Sequence, residues 1–558
     1  MVSAAREERI QRQIASRSRR RERLLLVLLL GALFFQEFCS ARLLNASSDE
    51  TMHLPAGYTY WKTGDFRLNP EHPPFIKLLA ALPLLPMNPY VKWDDPTWNG
   101  NPPDQVRFGV RFLYSSDALL GKDAADRMLF WARLPVMLLS VLLGWYVFAW
   151  ARDLYGPRAG LAALLLYAFC PNILAHSRFV TMDLGLSCFF VITFYYVWRF
   201  TRFGGRRNVA LAGVALGLAL ATKFSAIILL PSIVVLLGMS VAEKGGTGAA
   251  GPRPDLDDFP TEGNTGRRIL LAARAYALMI AISFTLVWAV YFFPKYPLFY
   301  LEGMWQVNEN HVREYWAYLA GNFRQGGWWY YFLAVFLLKT PPATVILFLL
   351  SGALWKIAPR ARWRNEGFLL IPGVFFFVFT TLLADDIGVR YILPIYPLVA
   401  IFASRLTDFA LSRRWRTAAA GVFAAWLVVG TVLMFPDYLA YFTDFVGGAA
   451  NGHKYLDDSN IEWGADFKRL KEWMDDHGVE KIRLYTPWST LPNYYGIKFE
   501  WWDFLQPNPA PPGLYAISTH SLVRGQLAAR MAGMNTNWLF RYKPVDRVGY
   551  GFYIFRFE

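Results

Sequence analysis

The sequence predicts an all-α polytopic membrane protein with about eleven transmembrane helices, amphipathic helices in its outer-face loops and a small C-terminal α/β domain. Three observations support this prediction. Of the 558 residues, 55% are hydrophobic and 17% are aromatic. Several apolar runs reach the roughly 20 residues that a helix needs to cross the hydrocarbon core. The Lys and Arg residues behind the net charge of +15 lie in short clusters between these runs, which indicates membrane topology rather than nucleic-acid binding.

Each apolar run is expected to be a helix, because a helix satisfies its own backbone hydrogen bonds in lipid. The predicted spans lie near 24–44, 128–150, 159–175, 183–199, 208–222, 224–241, 269–292, 329–354, 367–384, 390–408 and 417–435. The basic clusters between them are cytoplasmic under the positive-inside rule, which places the N-terminus inside and the C-terminus outside. The run 208–241 is basic at both ends, so we expect two short helices that turn near Lys223 at the outer boundary.

The chain divides into three predicted parts. Residues 1–23 are a basic cytoplasmic N-terminus that leads into a retained signal anchor, and residues 24–450 form the transmembrane domain. That domain carries two large outer loops, 45–127 and 294–328. Residues 451–558 are expected to form a soluble outer-face α/β domain, with a helix over 464–477 and strands near 481–486, 513–518 and 550–557. The protein is therefore expected in the cell (inner) membrane as a multi-pass protein.

Two carboxylates follow the first span directly. Asp49 and Glu50 lie where a helix N-terminus is expected, close to the membrane surface. A carboxylate at that place can accept a proton from an acceptor hydroxyl, as general-base catalysis requires. Alternatively, the pair serves only to complement the helix dipole. A divalent metal could bind beside them, although no ligand spacing in the sequence demands one.

A second stretch of the first outer loop begins at His72-Pro73-Pro74. Its leucines make one side of residues 73–85 apolar, which predicts an amphipathic helix in the membrane interface with Lys77 facing headgroups. His72 is either a site residue or a structural histidine whose hydrogen bonds are satisfied within the fold.

Charged residues also stand at the outer ends of later spans. Arg178 and Asp183 lie at the mouth of adjacent helices, where ionisable residues are costly and usually functional. The planar fork of an arginine suits a phosphate, although the two residues could instead pair and tie the helices together. Further candidates of this kind are Lys223, Lys339, Asp385, Asp386 and Arg390, and His311 is a candidate in the outer loop 294–328. Proline is expected to break the helix after Lys339, where Thr340-Pro341-Pro342 interrupts an apolar run.

Four segments, in order over roughly the first 230 residues, resemble motifs of the family 39 glycosyltransferases of the GT-C superfamily, the protein O-mannosyltransferase type. The segments are Asp49-Glu50 with His53, "EHPPFIKLL" at 71–79 with Glu71 and His72, "HSRFVTMD" at 176–183, and "GLALATKFSA" at 217–226. The resemblance implies a GT-C fold with eleven spans and an inverting transfer of a hexose, mannose in that family, from a polyprenyl-phosphate donor to a hydroxyl.

Carried over by motif, Asp49 is the catalytic centre and Glu50 its partner. The candidates for substrate binding, from motif or from charge at the outer boundary, are His53, Glu71, His72, Lys77, Arg178, Asp183, Lys223, His311 and Arg390. The loop 294–328 is too short for the β-trefoil domain of the protein O-mannosyltransferases. The acceptor therefore stays open between a protein Ser or Thr, a glycan and a lipid, and a neighbouring subfamily transfers aminoarabinose to lipid A.

A polytopic secondary transporter is the alternative from another class of protein. Transporters often consist of internal repeats with discontinuous helices in both halves. The sequence shows no such self-similarity, and its charges lie at one face rather than at the midplane. Membrane lipids and the lipid-linked donor are the expected partners, and nucleic acid is not.

Overall fold

The computed structural model describes residues 2–242, 265–296, 299–309, 315–355, 363–408, 413–502, 511–534 and 542–558. Within these residues the chain is mostly helical. The α-helices are α1 Val2–Arg42, α2 Glu50–Thr63, α3 Phe75–Ala81, α4 Pro96–Asn99, α5 Gln105–Tyr114, α6 Asp117–Leu120, α7 Ala124–Tyr155, α8 Pro157–Ala168, α9 Pro171–His176, α10 Met182–Phe203, α11 Arg206–Leu220, α12 Leu229–Ala242, α13 Thr265–Val290, α14 Phe299–Glu309, α15 Tyr331–Lys339, α16 Pro342–Ala353, α17 Trp363–Leu383, α18 Ile395–Ser404, α19 Arg413–Val432, α20 Phe467–Asp476 and α21 Thr519–Met531.

Short 3₁₀ turns and strands complete the described chain. The turns are Leu82–Leu84, Phe224–Ile228, Val389–Ile392, Arg405–Asp408, Tyr438–Ala440, Asp444–Val446, Ala449–Lys454, Asp458–Asn460 and Pro492–Tyr495. The strands are β1 Trp316–Leu319, β2 Asn322–Gln325, β3 Ile482–Tyr485, β4 Phe499–Trp501, β5 Gly513–Ser518, β6 Asp546–Val548 and β7 Phe552–Phe557.

Every predicted span contains helix, but the span predicted over 159–175 is divided between α8 and α9, and the one over 390–408 contains the ten-residue α18 between two 3₁₀ turns. Six of the described helices are long and apolar enough to cross a membrane, within Arg17–Arg42, Ala124–Tyr155, Met182–Phe203, Phe224–Ala242, Thr265–Val290 and Asn365–Leu383. The run 329–354 is divided into α15 and α16, with a bend of 116° between them, so the break expected after Lys339 is confirmed. The break lies at Pro341-Pro342, where missing backbone N–H groups interrupt the helix. The count of eleven crossings stays a prediction.

The two short helices predicted over 208–241 are confirmed. α11 ends at Leu220 and α12 begins at Leu229, with a 3₁₀ turn over Phe224–Ile228 between them. Lys223 lies at this break and is 8% exposed. The turn therefore holds a lysine at one end of the helical bundle, where α10 also begins.

The centre of the bundle is α10. In its most apolar stretch 89% of the residues are buried, more than in any other span-length helix of the described chain. It packs against α7, α11, α17 and α18. This position carries the N-terminal end of α10, with Asp183, into the interior.

The helices of the first loop pack at short range against one another. A Cβ on Gly57 of α2 would stand 2.0 Å from the Lys77 carbonyl oxygen, and one on Gly109 of α5 would stand 1.7 Å from that of Thr51. Glycine is therefore required at both contacts, since any side chain would push the backbones apart. These contacts fix α2, which begins directly after Asp49.

The C-terminal strands form one sheet in the order β4-β3-β5-β7-β6. β3 is parallel to β4 and β5, whereas β7 is antiparallel to β5 and β6. Alternate residues of β5 and β7 face opposite sides, with α20 packed on one side and α21 on the other. The predicted strands near 481–486, 513–518 and 550–557 are confirmed. That residues 451–558 form one domain is our proposal.

Candidate active site

Asp49 lies between the end of α1 and the start of α2, at the boundary of the bundle. Its Oδ2 atom accepts a hydrogen bond from Nη1 of Arg390 at 2.6 Å, and the two side chains are 19% and 16% exposed. Arg390 belongs to the 3₁₀ turn before α18, which is 341 positions away in the chain. Packing of the bundle therefore brings a cation from its second half to the carboxylate that follows its first helix.

Glu50 is completely buried beside Asp49 and has a different partner. Arg133 of α7 donates from Nε and Nη2 to the two carboxylate oxygens, at 2.8 and 2.7 Å. The backbone N–H of Ser47 and that of Val180 donate to the same carboxylate at 2.9 and 3.0 Å. Both oxygens of Glu50 are thus occupied within the protein, and the contacts tie the first loop to α7 and to the segment before α10.

The first outer loop also carries three further candidates, His53, Glu71 and His72. Nδ1 of His53 donates to the carbonyl oxygen of Val180 at 2.8 Å, and its ring centroid lies 6.1 Å from that of His72. Burial lowers the pKa of His53, and burial together with the charge of Lys223 lowers that of His72 well below its usual value. Both rings are therefore harder to protonate than an exposed histidine. Glu71 is exposed and accepts from Gln105 at 2.8 Å.

Lys77 does not face headgroups, and that prediction is wrong. Its side chain is fully buried in α3, and Nζ donates to the carbonyl oxygens of Asn69 and His72 at 2.5 and 2.8 Å. Burial lowers the pKa of Lys77 to about 7. The lysine holds the loop before α3 in place, because its ammonium satisfies two carbonyls in the interior.

Arg178 and Asp183 have different partners in the structure. Asp183 accepts from Nζ of Lys223 at 2.6 Å, so the ion pair that forms is between α10 and the break before α12. Arg178 donates to the carbonyl oxygen of Pro436 at 2.5 Å and lies over the rings of Phe179 and Tyr438, at 5.4 and 5.3 Å. Burial lowers its pKa to about 10.

Lys223 and Arg390 converge on one aromatic ring. Nζ of Lys223 lies 4.6 Å from the ring centroid of Tyr391, and the guanidinium carbon of Arg390 lies 5.5 Å from it. Two cations, each paired with a carboxylate, therefore surround Tyr391 at the same end of the bundle. Asp49, Asp183, Lys223, Arg390 and Tyr391 are referred to below as the charged cluster.

Two other sequence candidates bond to groups outside the charged cluster. Lys339 is buried and donates to the carbonyl oxygens of Leu439 and Asn460 at 2.7 and 2.5 Å, which gives it a structural role. Asp386 accepts from the backbone N–H of Trp328 at 2.6 Å. His311 lies outside the described residues.

Arg133 and Trp463 complete the surroundings, and sequence reasoning missed both. The guanidinium carbon of Arg390 lies 4.5 Å from the ring of Trp463, and the Trp463 carbonyl oxygen accepts from Ser48 N–H at 2.9 Å. A charged residue inside the predicted span 128–150 was a usable signal for Arg133. Trp463 offered no such signal, because it lies in a polar segment far along the chain.

A metal site at Asp49 and Glu50 has no support in the geometry. Among the residues that the structure describes, no three or more His, Cys, Asp or Glu side chains are grouped so as to hold a metal ion. The two carboxylates instead bind two different arginines.

Part of the chain matches a known protein family. Residues 125–245 match the sequence model of the family described as dolichyl-phosphate-mannose-protein mannosyltransferase. No curated protein sequence matches the chain significantly.

Three solved structures resemble the chain at low identity. ArnT from Cupriavidus metallidurans bound to undecaprenyl phosphate is 15% identical with a TM-score of 0.49, over 95% of this chain and 97% of that one. The Archaeoglobus fulgidus oligosaccharyltransferase tethered to an acceptor peptide is 12% identical with a TM-score of 0.42, over 85% and 63%. Arabinosyltransferase EmbB from Mycobacterium smegmatis is 11% identical with a TM-score of 0.42, over 69% and 30%.

The family match overlaps two of the four motifs, those at 176–183 and 217–226. Together with the apolar helices it indicates a multi-pass membrane glycosyltransferase. The sugar and the acceptor are matters for the proposal that follows.

Proposed function

We propose that this protein is an inverting glycosyltransferase that moves a hexose from a polyprenyl-phosphate donor to a hydroxyl acceptor on the outer face of the membrane. The observation that carries the proposal is the charged cluster. It combines a partly exposed carboxylate, Asp49, with two cations, Arg390 and Lys223, at one end of a membrane bundle. A base and a phosphate-binding group are what such a transfer requires.

The reaction is a single displacement at the anomeric carbon of the donor sugar. The acceptor oxygen forms the new bond to that carbon as its proton passes to Asp49, and the bond to the phosphate oxygen breaks. The electron pair leaves with the polyprenyl phosphate, which gains negative charge in the transition state. Inversion follows because one bond forms on the face opposite to the bond that breaks. A positioned base typically contributes about 10²–10⁴-fold to the rate.

Arg390 and Lys223 are assigned to the leaving phosphate. Preorganised cations that face a developing anion lower the barrier, and an arginine can bind two phosphate oxygens at once. Arg390 would bind the donor phosphate and Asp49 at the same time. Its contact with the phosphate would place the anomeric carbon beside Asp49, the base. Asp183 orients Lys223, because the two form a buried ion pair.

Glu50 is assigned a positioning role rather than a catalytic one. Its oxygens are occupied by Arg133, Ser47 and Val180, so it holds the backbone on both sides of Asp49. His53 supports the same segment through Val180. The positive charge of Lys223 contributes to the lowered pKa of His72, so the two residues are neighbours. We therefore place His72 at the edge of the donor site.

Mannose is the proposed sugar because the family that matches residues 125–245 is described by its mannosyl transfer. Transfer of aminoarabinose to a lipid is the second candidate, since the chain shares the first-loop aspartate with that subfamily. The outer-face location follows from the basic clusters between the spans.

The test is transfer by the full-length protein in lipid nanodiscs. Polyprenyl-phosphate mannose and polyprenyl-phosphate aminoarabinose are each supplied in radiolabelled form, with a Ser/Thr peptide, a glycan or lipid A as acceptor. Asp49→Asn should abolish transfer while the thermal stability stays close to that of the wild type. The matched control is Asp94→Asn, an exposed carboxylate in the same loop, which should transfer normally. Normal turnover by Asp49→Asn refutes the assignment of the base.

A further inference from the structure

The segment 459–463 belongs to the C-terminal part of the chain, yet it bonds to the backbone next to both members of the Asp49–Arg390 ion pair. It lies shortly before α20 and is buried, with Asn460 0% exposed and Trp463 2% exposed. Each of these two residues contacts a different part of the ion pair's surroundings. The proposed function gives neither of them a role.

The side chain of Asn460 holds the backbone directly before the arginine of the charged cluster. Its Oδ1 atom accepts from the Val389 N–H at 2.9 Å, and its Nδ2 atom donates to the Ile387 carbonyl oxygen at 3.0 Å. Gly388 lies between these two contacts, and a Cβ on it would stand 2.4 Å from Oγ of Ser459. One amide therefore holds both peptide groups that flank Gly388, at a place where the two segments are in close contact.

Asn460 is itself held by α15. Its Nδ2 atom also donates to the hydroxyl of Tyr331 at 3.2 Å, and its carbonyl oxygen accepts from Nζ of Lys339 at 2.5 Å. Tyr331 and Lys339 are the first and last residues of α15, and both are fully buried. Rotation of the Asn460 side chain would leave buried polar groups without partners, which is costly. The amide is therefore a rigid support for the turn that carries the arginine.

Trp463 holds the other end of that arginine. The guanidinium carbon of Arg390 lies 4.5 Å from the ring centroid of Trp463, within the range of a cation–π contact. The Trp463 ring packs edge-on against the rings of His176 and Phe179, at 5.8 and 5.9 Å, which fixes its plane. Its carbonyl oxygen accepts at 2.9 Å from the N–H of Ser48, the residue before the proposed base. Trp463 therefore contacts the cation with its ring and the loop of the base with its backbone.

We propose that Asn460 and Trp463 are positioning residues for sugar transfer, which fix Arg390 beside Asp49 in the orientation that binds the donor phosphate. Their role in the reaction rests on the proposed function. Arg390 and Asp49 come from distant parts of the chain, and an arginine side chain is long and flexible. A cation stabilises a developing anion best when it is fixed beforehand, because it then needs no reorganisation during the reaction. Asn460 fixes the backbone of Arg390, and Trp463 fixes its guanidinium.

The first experiment is a double-mutant cycle on transfer by the full-length protein in nanodiscs. Asn460→Ala and Trp463→Leu should each lower kcat by about 10- to 100-fold, since a misplacement of about 1 Å can cost about 10²-fold in rate. In the Arg390→Gln background either change should lower kcat by less than about 2-fold further, because the residue that it positions is gone. A merely structural role would lower kcat by the same factor in both backgrounds. Trp463→Phe keeps a ring face and should retain more activity than Trp463→Leu.

The second experiment is amide hydrogen exchange in the absence of substrate. Asn460→Ala should speed exchange over residues 387–390, because the Val389 N–H loses its acceptor. The matched control is Asn208→Ala, which removes a side-chain hydrogen bond of 2.6 Å to the Gly204 carbonyl oxygen at the C-terminal end of α10. This control should match the wild type both in exchange over residues 387–390 and in kcat.

The outcomes separate the alternatives. Unchanged exchange over residues 387–390 in Asn460→Ala overturns the role of Asn460, and an equal loss of kcat in both Arg390 backgrounds overturns the positioning role of the residue tested. Equal activity of Trp463→Phe and Trp463→Leu excludes the cation–π contact. Should the wild type transfer no sugar, the proposed function fails, whereas exchange still decides whether Asn460 holds the turn before Arg390. The Trp463 variants keep the proposal testable if Asn460→Ala does not fold.

Discussion

Replacing Glu50 by Gln removes the negative charge from a buried ion pair without changing the shape of the side chain. The carboxylate accepts from Nε and Nη2 of Arg133, from N–H and Oγ of Ser47 and from N–H of Val180. Arg133 is 1% exposed and would keep its charge with no anion beside it. Breaking a buried pair in this way typically costs about 3–5 kcal/mol. We therefore expect Glu50→Gln to lower the free energy of unfolding by that amount.

The measurement is reversible unfolding by sodium dodecyl sulfate in mixed micelles, for Glu50→Gln, Arg133→Met and the double variant. The double variant should lose less unfolding free energy than the two single variants lose together, because it contains no uncompensated buried charge. The coupling energy between the two positions should be about 0.5–3 kcal/mol. The matched control is Glu71→Gln, an exposed glutamate of the same loop, which should stay within about 0.5 kcal/mol of the wild type. Should Glu50→Gln keep its stability and lose transfer, Glu50 would belong to the chemistry and the positioning role would be wrong.

Three more predictions follow from contacts of the described residues. Arg390→Gln should slow transfer by about 10²–10³-fold, because one hydrogen-bond donor to a developing anion is lost. The control Arg324→Gln, on the exposed β-hairpin, should transfer at the wild-type rate. Equal transfer rates for the two variants would exclude Arg390 from the site. The pKa of Lys77 is about 7 when folded, below the ordinary 10.5, so the unfolded chain binds more protons between these values and stability should rise with pH across that window. Lys77→Met should flatten this rise in unfolding titrations run at several pH values, and an unchanged slope would count against the burial argument. The side chain of Asn45 donates to the Gly464 carbonyl oxygen and accepts from the Phe467 N–H, each at 2.7 Å. Asn45→Ala should therefore speed hydrogen exchange over residues 463–467. Unaltered protection there would show that these hydrogen bonds do not hold the C-terminal unit in place.

Much of the helical layout could be predicted from local patterns. The run 208–241 is one example, because basic residues at both ends and a lysine in the middle require a turn near Lys223. The break after Lys339 is another, since Pro341 and Pro342 cannot continue a helix. These predictions succeed because hydropathy, proline and basic clusters act within about 20 residues of chain, the length of one span.

The site was predictable only in part. Motifs singled out Asp49, Asp183 and Lys223, and a charge at the outer boundary singled out Arg390, yet the partner of each carboxylate was misjudged or left open. Arg178 was a candidate for binding a phosphate, which stays a prediction, and nothing in the sequence indicated that its guanidinium contacts the Pro436 carbonyl and two aromatic rings. Lys77 was expected at the surface and is buried, because amphipathic spacing does not reveal which carbonyls a lysine can reach in the fold.

The sequence by itself determined the apolar helices, their order and the position of Asp49 at the end of the first one, because each depends on residues that are near neighbours in the chain. The tertiary structure decided that Asp49 meets Arg390, that Asp183 meets Lys223 and that Glu50 meets Arg133. The physical reason is that a buried charge must be paired, and which opposite charge lies within reach depends on how distant helices pack.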